Sequence, residues 1–305
     1  VRIHTLDLHF QETPGTIACY LVEGDSGLVL IETGPGSTLA NLLDGISDAG
    51  FDPEEIRDIF VTHIHLDHAG AAGWWGQRGA RIHVHPRGAR HLADPSYLLK
   101  GATAVYGERT EKLWGETLPV PEEMIIPVQD TELITIGDIR LTAWDSPGHA
   151  RHHHCWLLEE QAIAFTGDST HVRLGTSNHI SLASAPPQFD PIAFESSLAR
   201  LAEAQFKTIY PTHFGAIEDV SNHLARCLQI IRGSTELVFA HLRNGLDAEA
   251  ITEQFRLYTR ERFELDGCAT ELWQDYELIN PAAMCAQGVL LHCQAQLDAE
   301  STFHT

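Results

Sequence analysis

Three histidines and an aspartate fall within six residues in His63-Ile64-His65-Leu66-Asp67-His68. The stretch before them, residues 56–62, reads as a strand, so the run lies on a strand-end loop that can aim side chains inward. His63 and His65 can point to one side while Asp67 and His68 turn to a neighbouring position, which places two adjacent cations within reach of one loop. Imidazole and carboxylate suit Zn2+, Fe or Mn better than thiolate-loving metals. Taken alone, such a run could be a solvated histidine-rich turn, but three later fragments weigh against that. Ser146-Pro147-Gly148-His149 sets a histidine on a rigid turn, Phe165-Thr166-Gly167-Asp168 ends a strand with an aspartate, and Pro211-Thr212-His213-Phe214-Gly215 repeats the arrangement. Each is weak by itself, because a lone strand-end Asp or His is more often a cap or surface group. Together they place metal-competent side chains on four strand-end loops, in a chain with no evident Ser-His-Asp or Cys-His arrangement.

The elements that must position these residues follow from pattern. Residues 17–22 and 28–31 are short apolar runs flanking the hairpin signal Glu23-Gly24-Asp25-Ser26-Gly27. Residues 87 to about 115 read as helical, strands resume from Met124 to Phe165, and residues 190–204 form a helix. Beyond about Glu218 the chain reads as helical, with breaks near Gly267 and Asn280-Pro281. Strands and helices in two comparable halves predict two packed sheets with helices outside. The expected division is a domain over residues 1–220, with a helical insert at about 87–123, and a helical extension over 221–305.

Composition narrows the function. Twenty Lys+Arg against 42 Asp+Glu give the 305 residues a net charge of −22. Such a surface repels phosphate backbones and anionic lipid, so neither nucleic acid nor a membrane is expected as partner. A small-molecule substrate is expected, and a homodimer stays open. The 19 histidines almost equal Lys and Arg combined and direct attention to metal or proton chemistry. The six cysteines show no C-x-x-C spacing and read as free thiols of a reducing compartment. With no apolar run of membrane-spanning length and no signal-peptide pattern at Val1-Arg2-Ile3-His4, the expected location is cytoplasmic.

The order H-x-H-x-D-H, P-G-H, T-G-D, T-H-F-G resembles the metallo-β-lactamase superfamily over roughly residues 1–220. The resemblance implies an α/β fold, a four-layer αβ/βα sandwich with the metal site at one edge, here followed by the C-terminal helical extension. It implies two divalent metal ions, Zn2+ first, with Fe or Mn as alternatives. His63, His65 and His149 would hold one ion, Asp67, His68 and His213 the other, and Asp168 would bridge them. The implied activity is hydrolysis of an ester, thioester, lactone or related bond by a hydroxide shared between two ions, with Asp67 able to protonate the leaving group. Another branch of the superfamily implies a mononuclear iron persulfide dioxygenase using His63, His149 and Asp168. One departure stands out: members usually carry Asp where this chain has Glu32, one methylene longer, expected to support the histidine loop rather than bind metal. Within Arg151-His152-His153-His154 at least one imidazole should face the site, and His153 and His154 are the candidates for supporting contacts. Trp74 and Trp75 could line the pocket, although an aromatic pair more often packs. The insert should set substrate choice, through Tyr97, Tyr106 and Trp114 as apolar grips and Arg87, Arg90, Lys100, Arg109 and Lys112 as holders of an anionic group. The tail should supply one pocket wall.

Overall fold

The computed structural model describes residues 1–175 and 177–303. One sheet runs β1 (Arg2–Asp7), β2 (Ala18–Glu23), β3 (Leu28–Ile31), β4 (Asp58–Phe60), β5 (Arg81–Val84) and β6 (Ile125–Pro127), in that spatial order. Its first three strands are antiparallel and those from β3 to β6 parallel. The other comprises β7 (Leu133–Ile136), β8 (Ile139–Asp145), β9 (His154–Leu158), β10 (Ile163–Phe165) and β11 (Thr208–Tyr210), ordered β11-β10-β9-β8-β7. Only the β10–β11 pair of that sheet is parallel.

Strand periodicity builds the layers. On β2, Ala18, Tyr20 and Val22 face Phe60, Trp156 and Phe165 in the core between the sheets. The alternate residues Cys19 and Leu21 face Leu42 and Ile46 of α1 (Leu39–Asp48). On β9, Trp156 and Leu158 point inward while Cys155 and Leu157 pack outward, against Phe194 and Leu198 of α7 (Pro191–Ala204). Period-2 alternation with both faces apolar yields helix, sheet, sheet, helix. Trp156 Nε1 donates to Val61 O at 3.0 Å, so the two sheets are tied together two residues before His63.

The remaining helices frame the sheet edge where the motif loops emerge. They are α2 (Leu66–Ala69) and α3 (Ala72–Gly76), then α4 (Pro86–Ala93), α5 (Ser96–Tyr106) and α6 (Thr110–Trp114) in the insert. The tail is α8 (Val220–Arg243), α9 (Ala248–Leu265), α10 (Leu272–Ile279) and α11 (Ala282–Phe303). It is stitched to the core by polar bonds: Tyr276 donates to His179 O at 2.7 Å, and Asn280 Nδ2 to Ser181 Oγ and Leu182 O, both at 2.9 Å. Gly288 lets α11 lie close, since a Cβ there would collide with Ser184 O. Among the described residues no helix is long and apolar enough to cross a membrane.

Candidate metal centre

All seven residues of the motif set meet at one sheet edge. The loop after β4 carries His63 and His65, and the single turn α2 carries Asp67 and His68; His149, Asp168 and His213 follow β8, β10 and β11. His65 Nδ1 stands 2.9 Å from both His63 Nε2 and His149 Nε2. Asp67 Oδ2 lies 3.4 Å from His213 Nε2 and 3.7 Å from His68 Nε2. Asp168 sits between the two groups, with Oδ2 3.3 Å from His149 Nε2 and Oδ1 3.3 Å from His68 Nε2 and 3.7 Å from His213 Nε2.

Four of the five rings have an anchored outer nitrogen. His149 Nδ1 bonds Ala183 O at 3.0 Å, His213 Nδ1 bonds Thr16 O at 2.8 Å, and His68 Nδ1 bonds Glu32 Oε1 at 2.9 Å. His63 Nδ1 lies 3.1 Å from Thr62 Oγ1, whose hydroxyl in turn donates to Glu32 Oε1. A ring that gives its one N–H outward turns a lone pair inward. His63 and His149 thus aim lone pairs at His65 Nδ1, whose single N–H can serve only one of them well, while a cation between the three would serve all. His68 Nε2 and Asp168 Oδ1 are buried with no well-aligned hydrogen bond and face each other at 3.3 Å, a contact that leaves both open to a ligand. Five imidazoles and two carboxylates are a donor set that fits a pair of divalent metal ions.

The electrostatics divide the cluster. Burial and the neighbouring His149 push His65 down to about 3, and burial with His68 and His65 holds His63 well below the usual histidine range. At the other end burial opposes charge but loses: Asp168, Asp67 and Glu32 hold His68 well above the usual value. Burial likewise opposes the charge on Asp67, yet His68 and His213 bring it down to about 2. His63 and His65 are thus neutral and Asp67 is ionised, the states in which these groups ligate a metal, whereas His68 and His213 hold their protons more tightly, protons that a bound ion would displace.

Glu32 is the hub of the support. It is fully buried with φ of +66°, a left-handed conformation rare for a non-glycine residue. Its Oε2 accepts the Thr62 amide at 3.1 Å, and its Oε1 accepts from Thr212 Oγ1 at 3.0 Å as well as from His68. It therefore meets the histidine loop through His68 and Thr62. His153 Nε2 accepts the Asp168 amide at 3.1 Å, while its Nδ1 lies 2.7 Å from Ser146 Oγ and 3.1 Å from Ser169 Oγ. Gly167 makes that approach possible, with φ of +49° and room for no Cβ, which would fall 2.7 Å from His153 Nε2.

The expectation for His154 is corrected by the structure. As the first residue of β9, paired with Asp145 across β8, it turns to the side opposite His153. Its Nε2 bonds Val128 O at 3.0 Å and its Nδ1 lies 3.1 Å from Asp145 Oδ1, with His85 Nε2 on the same oxygen at 3.5 Å. His85 Nδ1 accepts the Arg87 amide at 3.0 Å, so its proton sits on Nε2, facing Asp145. His85, Asp145 and His154 thus form a separate cluster, away from the seven.

A cavity of about 780 Å³ opens over the seven-residue cluster. Its floor holds His65, Asp67, His149, Asp168 and His213, together with His152; its walls are α5 on one side and residues 277–291 on the other. Tyr97, Tyr106 and Trp114 all line it, Trp114 being braced on Phe10 at 5.5 Å and Tyr106 OH touching Met284 Sδ at 3.6 Å. Of the five insert cations only Arg109 reaches the cavity, and Trp74 and Trp75 pack elsewhere, with Arg78 over Trp74 at 3.7 Å. Sequence reasoning did not single out Met284 and Leu291. Their signal was a second apolar stripe on α11, beside the one that buries Cys285, Ala286, Val289 and Cys293.

Two sheets face to face, with histidines and aspartates that could hold metal gathered at their strand ends, define an α/β sandwich. The chain belongs to the metallo-beta-lactamase superfamily, whose family model matches residues 13–213. It is 26% identical over 232 residues to the metallo-beta-lactamase fold-containing protein ST1585 of Sulfurisphaera tokodaii, covering 74% of this chain and 84% of that one. It is 28% identical over 209 residues to the thioesterase pkgB of Emericella nidulans, covering 68% of this chain and 48% of the relative, so the chain spans about half of that protein. Among solved structures, the metallo-beta-lactamase family protein TTHA1429 from Thermus thermophilus superposes with a TM-score of 0.66 at 22% identity, covering 96% of this chain and 93% of that one.

Proposed function

We propose that this chain is a dinuclear metal-dependent hydrolase acting on a small-molecule thioester or ester. The observation that carries the reading is Asp168, whose two oxygens face two histidine-bearing groups under one cavity. His63, His65 and His149 would hold one ion, Asp67, His68 and His213 the other, with Asp168 shared. Ions bound there, Zn2+ or alternatively Fe or Mn, supply Lewis acidity toward an acyl oxygen and lower the pKa of water toward neutrality.

The chain's own residues do the rest. The anchored outer nitrogens fix the rings of His63, His68, His149 and His213, so little reorganisation of these four accompanies reaction. The Asp67 carboxylate lines the cavity, where it can take a proton from an attacking water and release it to the departing sulfur or oxygen. The helical walls would hold the acyl group over Asp168. The likeness to a thioesterase favours a thioester, and the charge of −22 favours a small substrate over nucleic acid.

The test is metal analysis of protein purified without added metal, followed by assay of acyl thioesters, aryl esters, lactones and glutathione persulfide. Two ions per chain, with thioester or ester turnover that chelation abolishes, is the expected result. One iron per chain, with oxygen consumed on glutathione persulfide, would replace this reading by the mononuclear dioxygenase.

A further inference from the structure

We infer that the cleft between α5 and α11 binds an extended apolar acyl chain, and that Gly101 sets the chain length accepted. The inference rests on the hydrolase reading above and names the substrate class of the same site.

Helix α5 is apolar along most of its length, through Tyr97, Leu98, Leu99, Ala102, Ala104, Val105 and Tyr106, yet it buries no residue. A helix of that composition ordinarily sinks one face into a core. Here Leu98, Leu99, Ala102 and Tyr106 are only partly buried against the core, and Leu98, Gly101, Ala102 and Val105, spaced i, i+3, i+4, i+7, also line the cavity. Met284, Gln287 and Leu291 face it from α11 at i, i+3, i+7. Val105 and Leu291 are each 47% exposed, and so form an apolar lip.

The cleft continues without a break onto the metal centre, and this continuity identifies its occupant. At the inner end stands His152, only 5% exposed, with Nδ1 unpartnered beside the ligand cluster. One end therefore offers hydrogen bonding and carboxylates, the other hydrocarbon. An acyl thioester has that same division, with its carbonyl at one end and its chain running out between the helices. Tyr106 OH touches Met284 Sδ at 3.6 Å, so the two walls are tied together there and the cleft is bounded at that point. Gly101 lies mid-cleft, and a Cβ there would meet nothing within 4 Å. Gly101 lines the cavity and has open space at its Cβ, so a larger side chain there has room to narrow the cleft.

The experiment compares the holoenzyme with Gly101→Phe and Val105→Asp on acyl-N-acetylcysteamine thioesters from two to twelve carbons. Direct binding of dodecanoate is measured in parallel by calorimetry. Wild-type kcat/KM should rise roughly threefold per methylene over the middle of the series. Gly101→Phe should lose at least about tenfold on the long chains, stay within about twofold on the acetyl thioester, and keep its metal content. Val105→Asp, a change at an exposed position, should weaken dodecanoate binding with an unchanged circular-dichroism spectrum. A flat wild-type series, equal losses at every length, or preference for bulky aromatic acyl thioesters over linear ones overturns the inference. If no thioester is cleaved but dodecanoate binds wild type and not Gly101→Phe, the cleft assignment stands and the hydrolase reading falls.

Discussion

Glu32 Oε1 and His68 Nδ1 meet at 2.9 Å in a position closed to solvent, while the far nitrogen of the same ring points bare toward Asp168. The carboxylate sets the tautomer of a ring that would hold metal and, through Thr62, steadies His63. Replacing Glu32 by Gln keeps the shape and removes the charge. Activity and metal affinity should fall by about 10–100-fold while the fold persists. Metal content after dialysis against a graded chelator, read with kcat/KM, checks this; Glu32→Gln enzyme that keeps wild-type metal affinity refutes it. Glu32→Asp, one methylene shorter, should be no better, because the longer reach is what this chain uses.

Asp168 faces both halves of the cluster, at 3.3 Å from His149 and 3.3 Å from His68. Asp168→Asn removes a charge that each ion would feel. Bound metal should drop from two ions per chain to one or fewer, and turnover should become undetectable. Full loading with near-normal rates would exclude the shared role.

His153 and His154 are neighbours with opposite tasks. His153→Ala loses the acceptor for the Asp168 amide and should lower kcat at least about tenfold, with looser metal. His154→Gln breaks contacts with Val128 and Asp145 outside the cavity. It should lower the Tm and leave kcat/KM of the folded enzyme within about twofold. Paired melting and kinetic measurements separate the two, and the reverse pattern would show the assignment inverted.

That pair also marks how far sequence reading reaches. The seven clustered side chains were readable because they closely follow four apolar strands, four of them after β4 and one each after β8, β10 and β11, so local pattern sends them to one edge of the sandwich. His154 was not readable in the same way. Which of two adjacent histidines faces inward depends on the β8–β9 register, fixed by the pairing Asp145↔His154, a long-range choice. The cavity walls were harder still. Helix α11 is apolar on two faces, and sequence does not say which one the core claims; the insert's tilt likewise leaves only Arg109 of five cations on the cavity.

Asp58 offers a stability test away from the site. Burial opposes its charge, but hydrogen bonds from His83 at 2.8 Å and Arg81 at 2.6 Å prevail and lower its pKa. The folded value then lies below the unfolded one, near about 3.9, so the stabilisation is complete above that pH and fades as pH falls through the folded value. Asp58→Asn should cost about 1–3 kcal/mol at pH 7 by urea unfolding. The gap to wild type should narrow in acid; a gap that widens there would contradict the sign.

His152 is the remaining imidazole on the cavity floor, and no inner ligand group includes it. Its ring centre lies 5.6 Å from that of His65 and 6.1 Å from that of His63, close enough to reach an acyl group placed over the ions. Burial first, then His65 and His149, hold it well below the usual histidine range, so it is neutral and can donate one hydrogen bond and accept another. Since Nδ1 is buried without a protein partner, the substrate is the natural one to complete it. His152→Ala should therefore keep its metal and lose about 10–100-fold in kcat/KM, the range expected for one lost hydrogen bond to a charged or developing-charge group. The loss should fall mainly on kcat if the bond forms in the transition state and mainly on KM if it forms in the bound substrate. His152→Gln, which can still donate and accept, should recover part of it. A variant that loses metal in proportion to activity would instead make His152 a support for His65, and the split between kcat and KM would disappear once metal content is corrected for.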